Sequence, residues 1–291
     1  MAKNRSKLRG KLQLVKGKSR EKRASSPVVL TFASGKGGVG KTFLVTNLSF
    51  VLAQEGKNVL IWDADLSLAN VDVMLGIKPK FTVWDYFNGK CRFKDIVISA
   101  PLGVDVIPAA SGIHQLANLN VFQQQELYSE LQKLVNQYEY FLIDAPSGVG
   151  VNVQFLAGLS HSFICVINSE PTSLTDAYGL IKVVSTTVGI KEVGIVVNQA
   201  ESRKEASTAY ARLSEVVGRF IGSRVFWVGW VPYDKQVKEC INKQKGIAIE
   251  FPSAKASLGI AALREQIGRL EFKGEMRGGW QLNFEELIAH S

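Results

Sequence analysis

The chain is expected to fold as one doubly wound α/β domain, a mostly parallel sheet with helices on both faces. Three observations predict this. Short apolar, β-branched runs alternate with longer stretches of helical period from residue 28 to residue 270. The runs are continuously apolar, which marks strands covered on both sides. A glycine-rich loop also follows the first run directly and leads into the first helical stretch, at the sheet edge where ligands bind in such folds.

The elements follow in order. "VVLTFAS" (28–34) opens the pattern, and the helical stretch 41–55 follows its glycine loop. "NVLIWDAD" (58–65) is the second strand, an apolar run closing on acids. "GVDVIPA" (103–109) is the third, before a helix over about 121–138. "YFLIDAP" (140–146) again runs apolar into an acid. "SFICVINSE" (162–170), "EVGIVVNQ" (192–199) and "RVFWVGWVP" (224–232) complete the strands. Helices are predicted after them over 172–187, 202–219 and 234–245, with a last one near 256–270. No internal repeat interrupts the pattern.

Length allows one large domain or two smaller ones, and the unbroken alternation favours one. With 46% hydrophobic and 21% charged residues, the composition is that of a soluble globular protein with a sizeable core. No uninterrupted apolar run reaches the ~18 residues of a membrane-spanning helix, and the charged start has no apolar stretch behind it to make a secretory signal. Cys91, Cys165 and Cys240 are far apart and form no CxxC. This usage fits a reducing cytoplasm and argues against a zinc or iron–sulfur site within one chain.

The net charge of +9 has a single source: residues 1–23 carry ten bases and one acid, and the other residues balance at 25 and 25. Three segments are expected: a basic, disordered tail (1–26), a P-loop domain (27–272) and a C-terminal tail (273–291) with a short amphipathic helix. On that helix Trp280, Phe284, Leu287 and Ile288 share one face, while Glu285 and Glu286 lie opposite. The basic tail reads either as a solvated arm or as a polybasic arm for an acidic partner, membrane or nucleic acid.

The chemistry gathers at strand ends. Gly35, Gly40, Lys41 and Thr42 match GxxxxGK[ST] between a strand and a helix. In that motif glycines let backbone N–H groups approach phosphate, the helix N-terminus favours negative charge, and the threonine hydroxyl meets Mg²⁺. Asp63, Asp65 and Asp144 close apolar strands, the placement that holds a carboxylate near a metal. A lone acid there is as often a helix cap, and Asp63 alone leaves both readings open.

The stretch "GKGGVGKT", with its extra early lysine, resembles the deviant phosphate loop KGGxGKT of the MinD/ParA class of P-loop ATPases. "WDADLSLANVDVMLG" and "FLIDAPSGVG" resemble that class's two switch segments, and the likeness runs from about residue 28 to 270. The resemblance implies ATP and Mg²⁺ as ligands, slow regulatory hydrolysis and an ATP-bound homodimer. It casts Lys36 as a lysine that crosses to the partner's nucleotide, Lys41 as the β/γ-phosphate lysine and Asp65 as the group that orients the attacking water. Gly35, Lys36, Gly37, Gly38, Val39, Gly40, Lys41, Thr42 and Phe43 would line the phosphates. Thr42 and Asp144 would serve the metal, Asp63 being a weaker candidate. Asn198, Pro232, Tyr233 and Asp234 fall where the class holds adenine, although Asn198 by itself reads equally as a loop cap.

Within the class, "LANVD" before an apolar pair and glycine is similar to the flagellar placement and number regulators, the FlhG group. That likeness implies an FlhF-like GTPase and flagellar basal-body or regulator proteins as partners. It also implies a cytoplasmic protein with weak peripheral contact at the inner face of the cell membrane. Four features depart from the class: residues 3–9 keep only the Leu8-Arg9 end of the group's DQAxxLR element, Phe43 replaces a small hydroxyl residue, Ser67 replaces a glycine, and the C-terminal segment carries Glu285 and Glu286 where the class tends to end in a base-rich amphipathic helix. The alternatives are a ParA-like DNA-associated segregation ATPase and a MinD-like septum-site regulator. The neutral body speaks against nucleic acid as the main partner.

Overall fold

A computed structural model describes residues 27–65, 70–109 and 120–270. The basic tail (1–26), Ser67 and the segment 273–291 lie outside the described residues, and so do the expectations placed on them. In chain order come β1 (Val28–Ser34), α1 (Lys41–Gln54), β2 (Val59–Asp63), α2 (Val71–Leu75), α3 (Val83–Phe87), β3 (Ile98–Ser99) and β4 (Asp105–Ile107). Then follow α4 (Val121–Val135), β5 (Tyr140–Ser147), α5 (Val151–Gly158), β6 (Ser162–Ile167), α6 (Pro171–Thr187), β7 (Glu192–Ala200) and α7 (Arg203–Phe220). The described part closes with β8 (Arg224–Pro232), α8 (Lys235–Asn242), α9 (Ile247–Glu250) and α10 (Lys255–Leu270).

The strands form one sheet in the order β3-β4-β2-β5-β1-β6-β7-β8. Every pair is parallel except β3 with β4. Successive side chains of a strand point to opposite faces, so each strand feeds two layers. Val29 and Ala33 of β1 join the layer of α4, α5, α6 and α7, whereas Leu30 and Phe32 join that of α1 and α10. Burial on both faces explains why these strands read as continuously apolar. Trp62 and Phe141, on neighbouring strands β2 and β5, stack at 6.3 Å between ring centroids inside the first layer. Full burial of side chains of this size contributes about 1.5–3 kcal/mol each.

The β1 strand lies at the centre, between β5 and β6; β2, β4 and β3 lie on one side, β5 returns to sit beside β1, and β6, β7 and β8 run outward on the other. The carboxyl ends of β1, β2, β5, β6, β7 and β8 therefore line one edge, the place where doubly wound sheets form their ligand crevice.

The architecture is the one the sequence predicts, with local differences. The β3 edge is only two residues long and carries no periodic signal. The α2 and α3 helices are five residues each, and Thr82 and Asp85 close a capping box at the start of α3. The stretch 234–245, expected as one helix, ends at Asn242 and restarts as α9, with Gln244 at φ 55° in between. Asn47 of α1 fixes that restart, its Oδ1 accepting the Ile247 N–H at 2.8 Å.

Candidate functional site

The loop from Gly35 to Gly40 is shaped by two close approaches. A Cβ at Gly35 would stand 2.2 Å from the backbone carbonyl of Asp176 in α6, so only glycine fits. Gly40, the residue before α1, has φ 89°, and a Cβ there would meet Asn198 Nδ2 at 2.3 Å. Glycine adopts that left-handed conformation at no steric cost. The Asn198 side chain, 2% exposed at the end of β7, donates from Nδ2 to the Val39 carbonyl at 2.8 Å. It clasps the loop from two strands away. The first N–H groups of α1 have no partner within the helix and stand at its positive end, which suits an anion.

Lys41 and Thr42 open α1 and turn toward the end of β5. Lys41 Nζ donates to Ser147 Oγ at 3.0 Å, and Thr42 Oγ1 donates to Asp144 Oδ2 at 2.6 Å. The other oxygen, Asp144 Oδ1, is buried with no hydrogen-bond partner in the protein. Burial pushes the Asp144 carboxyl up to about 6, against the charge of Lys41 and the Thr42 hydrogen bond, while Asp65 adds to the rise. An orphaned carboxylate oxygen beside a threonine hydroxyl is a hard-oxygen donor set of the kind Mg²⁺ takes. These residues fit that cation.

Asp63 pairs with Asp144 across β2 and β5. Its carboxylate shapes the following loop: Oδ1 accepts from Asp65 N–H at 3.3 Å, and Oδ2 accepts from the N–H groups of Asn70 and Val71, both at 3.0 Å. Burial, with Asp144 beside it, pushes this carboxyl up to about 8, and the Val71 and Asn70 N–H groups pull it down. Asp63 thus orients the backbone that carries Asp65.

Lys36 faces the other way. It lies half-exposed in the loop, with Nζ donating to the Glu170 carboxylate and, at 2.9 Å, to Thr172 Oγ1. The hydrogen bond from Lys36 holds the Glu170 carboxyl below its usual range. Glu170 and Thr172 sit at the start of α6, where Pro171 takes the first helical position, a placement that proline's fixed φ and missing N–H favour.

The residues expected around adenine do not form one cluster of free side chains. Tyr233 is half exposed beyond β8, whereas Asp234 is occupied structurally: Oδ1 accepts from Gln236 N–H at 3.0 Å and Oδ2 from Ala256 N–H at 3.2 Å. Pro232 ends β8. The Phe43 and Val39 side chains are buried in the core layer of α1 and α10, which leaves their backbones as what the loop can offer phosphate. Sequence reasoning missed Ser147, Glu170 and Thr172. Ser147 was within reach, three residues after Asp144 in "DAPSGVG"; nothing in the sequence connects Glu170 to Lys36, 134 residues away.

Residues 30–247 match the model of the CobQ/CobB/MinD/ParA nucleotide-binding domain. The antiactivator FleN of Pseudomonas aeruginosa is 35% identical over 262 residues, covering 90% of this chain and 94% of FleN. The flagellum site-determining protein YlxH of Helicobacter pylori is 27% identical over 217 residues, covering 74% of this chain and 73% of YlxH. The expected likeness to flagellar regulators is therefore met. The fold matches the septum site-determining protein MinD of Pyrococcus horikoshii, solved with Mg-ADP, at a TM-score of 0.70 and 23% identity, over 84% of this chain and 98% of that one. On this match, reaching from β1 to α9, the chain belongs to the CobQ/CobB/MinD/ParA nucleotide-binding family, within the MinD/ParA class of P-loop ATPases.

Proposed function

We propose that this protein is an ATP-dependent dimerising switch whose slow, Mg²⁺-dependent hydrolysis resets it, and that it regulates the placement or number of flagella. The observation that carries the flagellar part is the 35% identity to FleN along nearly its whole length. The geometry supports the switch. Lys41 points inward, toward Ser147 and the β5 end where Thr42 and Asp144 meet, and Lys36 points outward on the surface. In this reading one lysine serves the chain's own phosphates and the other reaches a partner's.

In this reading the loop from Gly35 to Phe43 binds phosphate through its backbone, with Lys41 on the β- and γ-phosphates. Thr42 and Asp144 hold Mg²⁺, which neutralises developing phosphate charge when bound. Asp63 supports that shell and the Asp65 backbone, and Asp65 orients the attacking water. Asn198, Pro232, Tyr233 and Asp234 border the base. Partners are a second copy of the chain with ATP, an FlhF-like GTPase and flagellar regulators. The protein acts in the cytoplasm, and the segments 1–26 and 273–291 supply weak contact with the membrane. Among the described residues no helix is long and apolar enough to cross one.

The test is the Lys36→Ala variant in light scattering and nucleotide binding. It is expected to bind ATP but to stay monomeric with it, since the lost contact lies across the interface. A normal ATP dimer removes the dimerising role. Cells lacking the gene are expected to show altered flagellar number or position, and unchanged flagella sink the biological assignment.

A further inference from the structure

The hydroxyl of Ser147 has a defined direction. Ser34 Oγ donates its single proton to the Lys36 carbonyl at 2.7 Å. Across the 3.4 Å contact between Ser34 Oγ and Ser147 Oγ, the donor is therefore Ser147. On its other side Ser147 Oγ accepts from Lys41 Nζ at 3.0 Å. A relay runs from the Lys41 ammonium through Ser147 and Ser34 to the backbone of Lys36, and it joins the loop to the end of β5. The adjacent Gly148 N–H, donating to the Ser34 carbonyl at 2.9 Å, fastens the same junction.

This placement matters because Ser147 is exposed at the crevice while Lys41 is 9% exposed. A phosphate oxygen engaged by Lys41 lies about 3 Å from Nζ, so it falls within about 6 Å of Ser147 Oγ. In the ATP reading Lys41 engages the β- and γ-phosphates, so a terminal phosphate would come within reach of Ser147. Phosphate binding also draws the Lys41 ammonium from Ser147 Oγ, and the Ser147 hydrogen, held until then only across the long 3.4 Å contact to Ser34, can rotate to the phosphate. Hydrogen bonds to a charged acceptor are roughly twice as strong as neutral ones.

We propose that Ser147 is a specificity-determining residue that distinguishes the triphosphate from the diphosphate, by exchanging its bond to Lys41 and Ser34 for one to the terminal phosphate. The same exchange loosens the Ser34 link to the Lys36 backbone, so the lysine that reaches the partner is informed of what Lys41 holds. This rests on the reading of the chain as an ATP switch.

The experiment is calorimetric binding of ADP and of a non-hydrolysable ATP analogue to wild-type protein and to the Ser147→Ala and Ser147→Thr variants, with thermal melts of each. Wild-type protein that binds neither nucleotide defeats the ATP reading itself. If it binds both, the ratio of the two affinities tests Ser147 alone. Ser147→Ala is expected to lower the preference for the triphosphate about threefold to tenfold, the difference between a hydrogen bond to a charged phosphate and the neutral one to Ser34 that it replaces, with ADP affinity unchanged or slightly raised. Ser147→Thr, which keeps the hydroxyl, is expected to retain the preference. A structural role alone weakens both nucleotides equally. A ratio that is unchanged, or that falls as far in the threonine variant, overturns the proposal.

Discussion

Replacing Asn198 with alanine separates two roles for one residue. Its position suggests contact with a base, yet its Nδ2 is committed to the Val39 carbonyl, 159 residues away, in a buried hydrogen bond of 2.8 Å. If the clasp is its work, alanine leaves that carbonyl without its donor and opens space beside Gly40, whose φ of 89° the amide packs against. Losing the donor costs about 1–3 kcal/mol. Carried wholly into the loop's ability to cradle phosphate, this is about 5- to 150-fold weaker binding. Calorimetry with a non-hydrolysable ATP analogue and with inorganic tripolyphosphate, which has no base, distinguishes the roles. A clasp predicts that both ligands weaken by the same factor, with a lower melting temperature. The Asn198→Asp variant, which sets a carboxylate oxygen against the Val39 carbonyl, is expected to be at least as impaired. Loss confined to the ATP analogue refutes the clasp, as does unchanged binding of both ligands.

Three further outcomes follow from the site and its surroundings. Asp65→Ala is expected to abolish hydrolysis while ATP binding stays within a few-fold of wild type, because the loop and Lys41 are untouched; a loss of affinity matching Lys41→Ala removes Asp65 from water orientation. Glu170→Gln is expected to tighten the ATP dimer a few-fold in a light-scattering titration, since the exposed Lys36–Glu170 pair must break before Lys36 can cross to a partner; an unchanged or weaker dimer counts against that competition. His161 concerns stability and pH. Its Nδ1 accepts from the Val29 N–H at 3.0 Å, and burial holds its pKa below the usual value of about 6.5. The folded state thus resists a proton that the unfolded chain accepts. The histidine's contribution is intact above about pH 6.5 and is lost as pH falls from there through the depressed folded value. Urea unfolding from pH 8 to 5 is expected to show a shallower loss on the acid side for His161→Gln, and parallel curves for the two proteins contradict the assignment.

Much of the molecule is legible in its amino-acid sequence. Continuous apolar runs mark the strands, because a strand covered on both faces has no polar side to alternate with. The phosphate loop is legible because its function depends on residues contiguous in the chain, each placed by the local path from β1 into α1. Asp63, Asp65 and Asp144 are identifiable because each follows an apolar run. The two-residue edge β3 carries no signal, and the break between α8 and α9 depends on Asn47, some 200 residues away. What the side chains at the site hold is also decided only by tertiary structure. Lys41 on Ser147, Lys36 on Glu170 and Asn198 on Val39 join residues separated by 106, 134 and 159 positions. No spacing in a sequence encodes such pairs, since they meet only when the sheet sets β5 and β6 on either side of β1 with β7 next, bringing the ends of those strands to one edge.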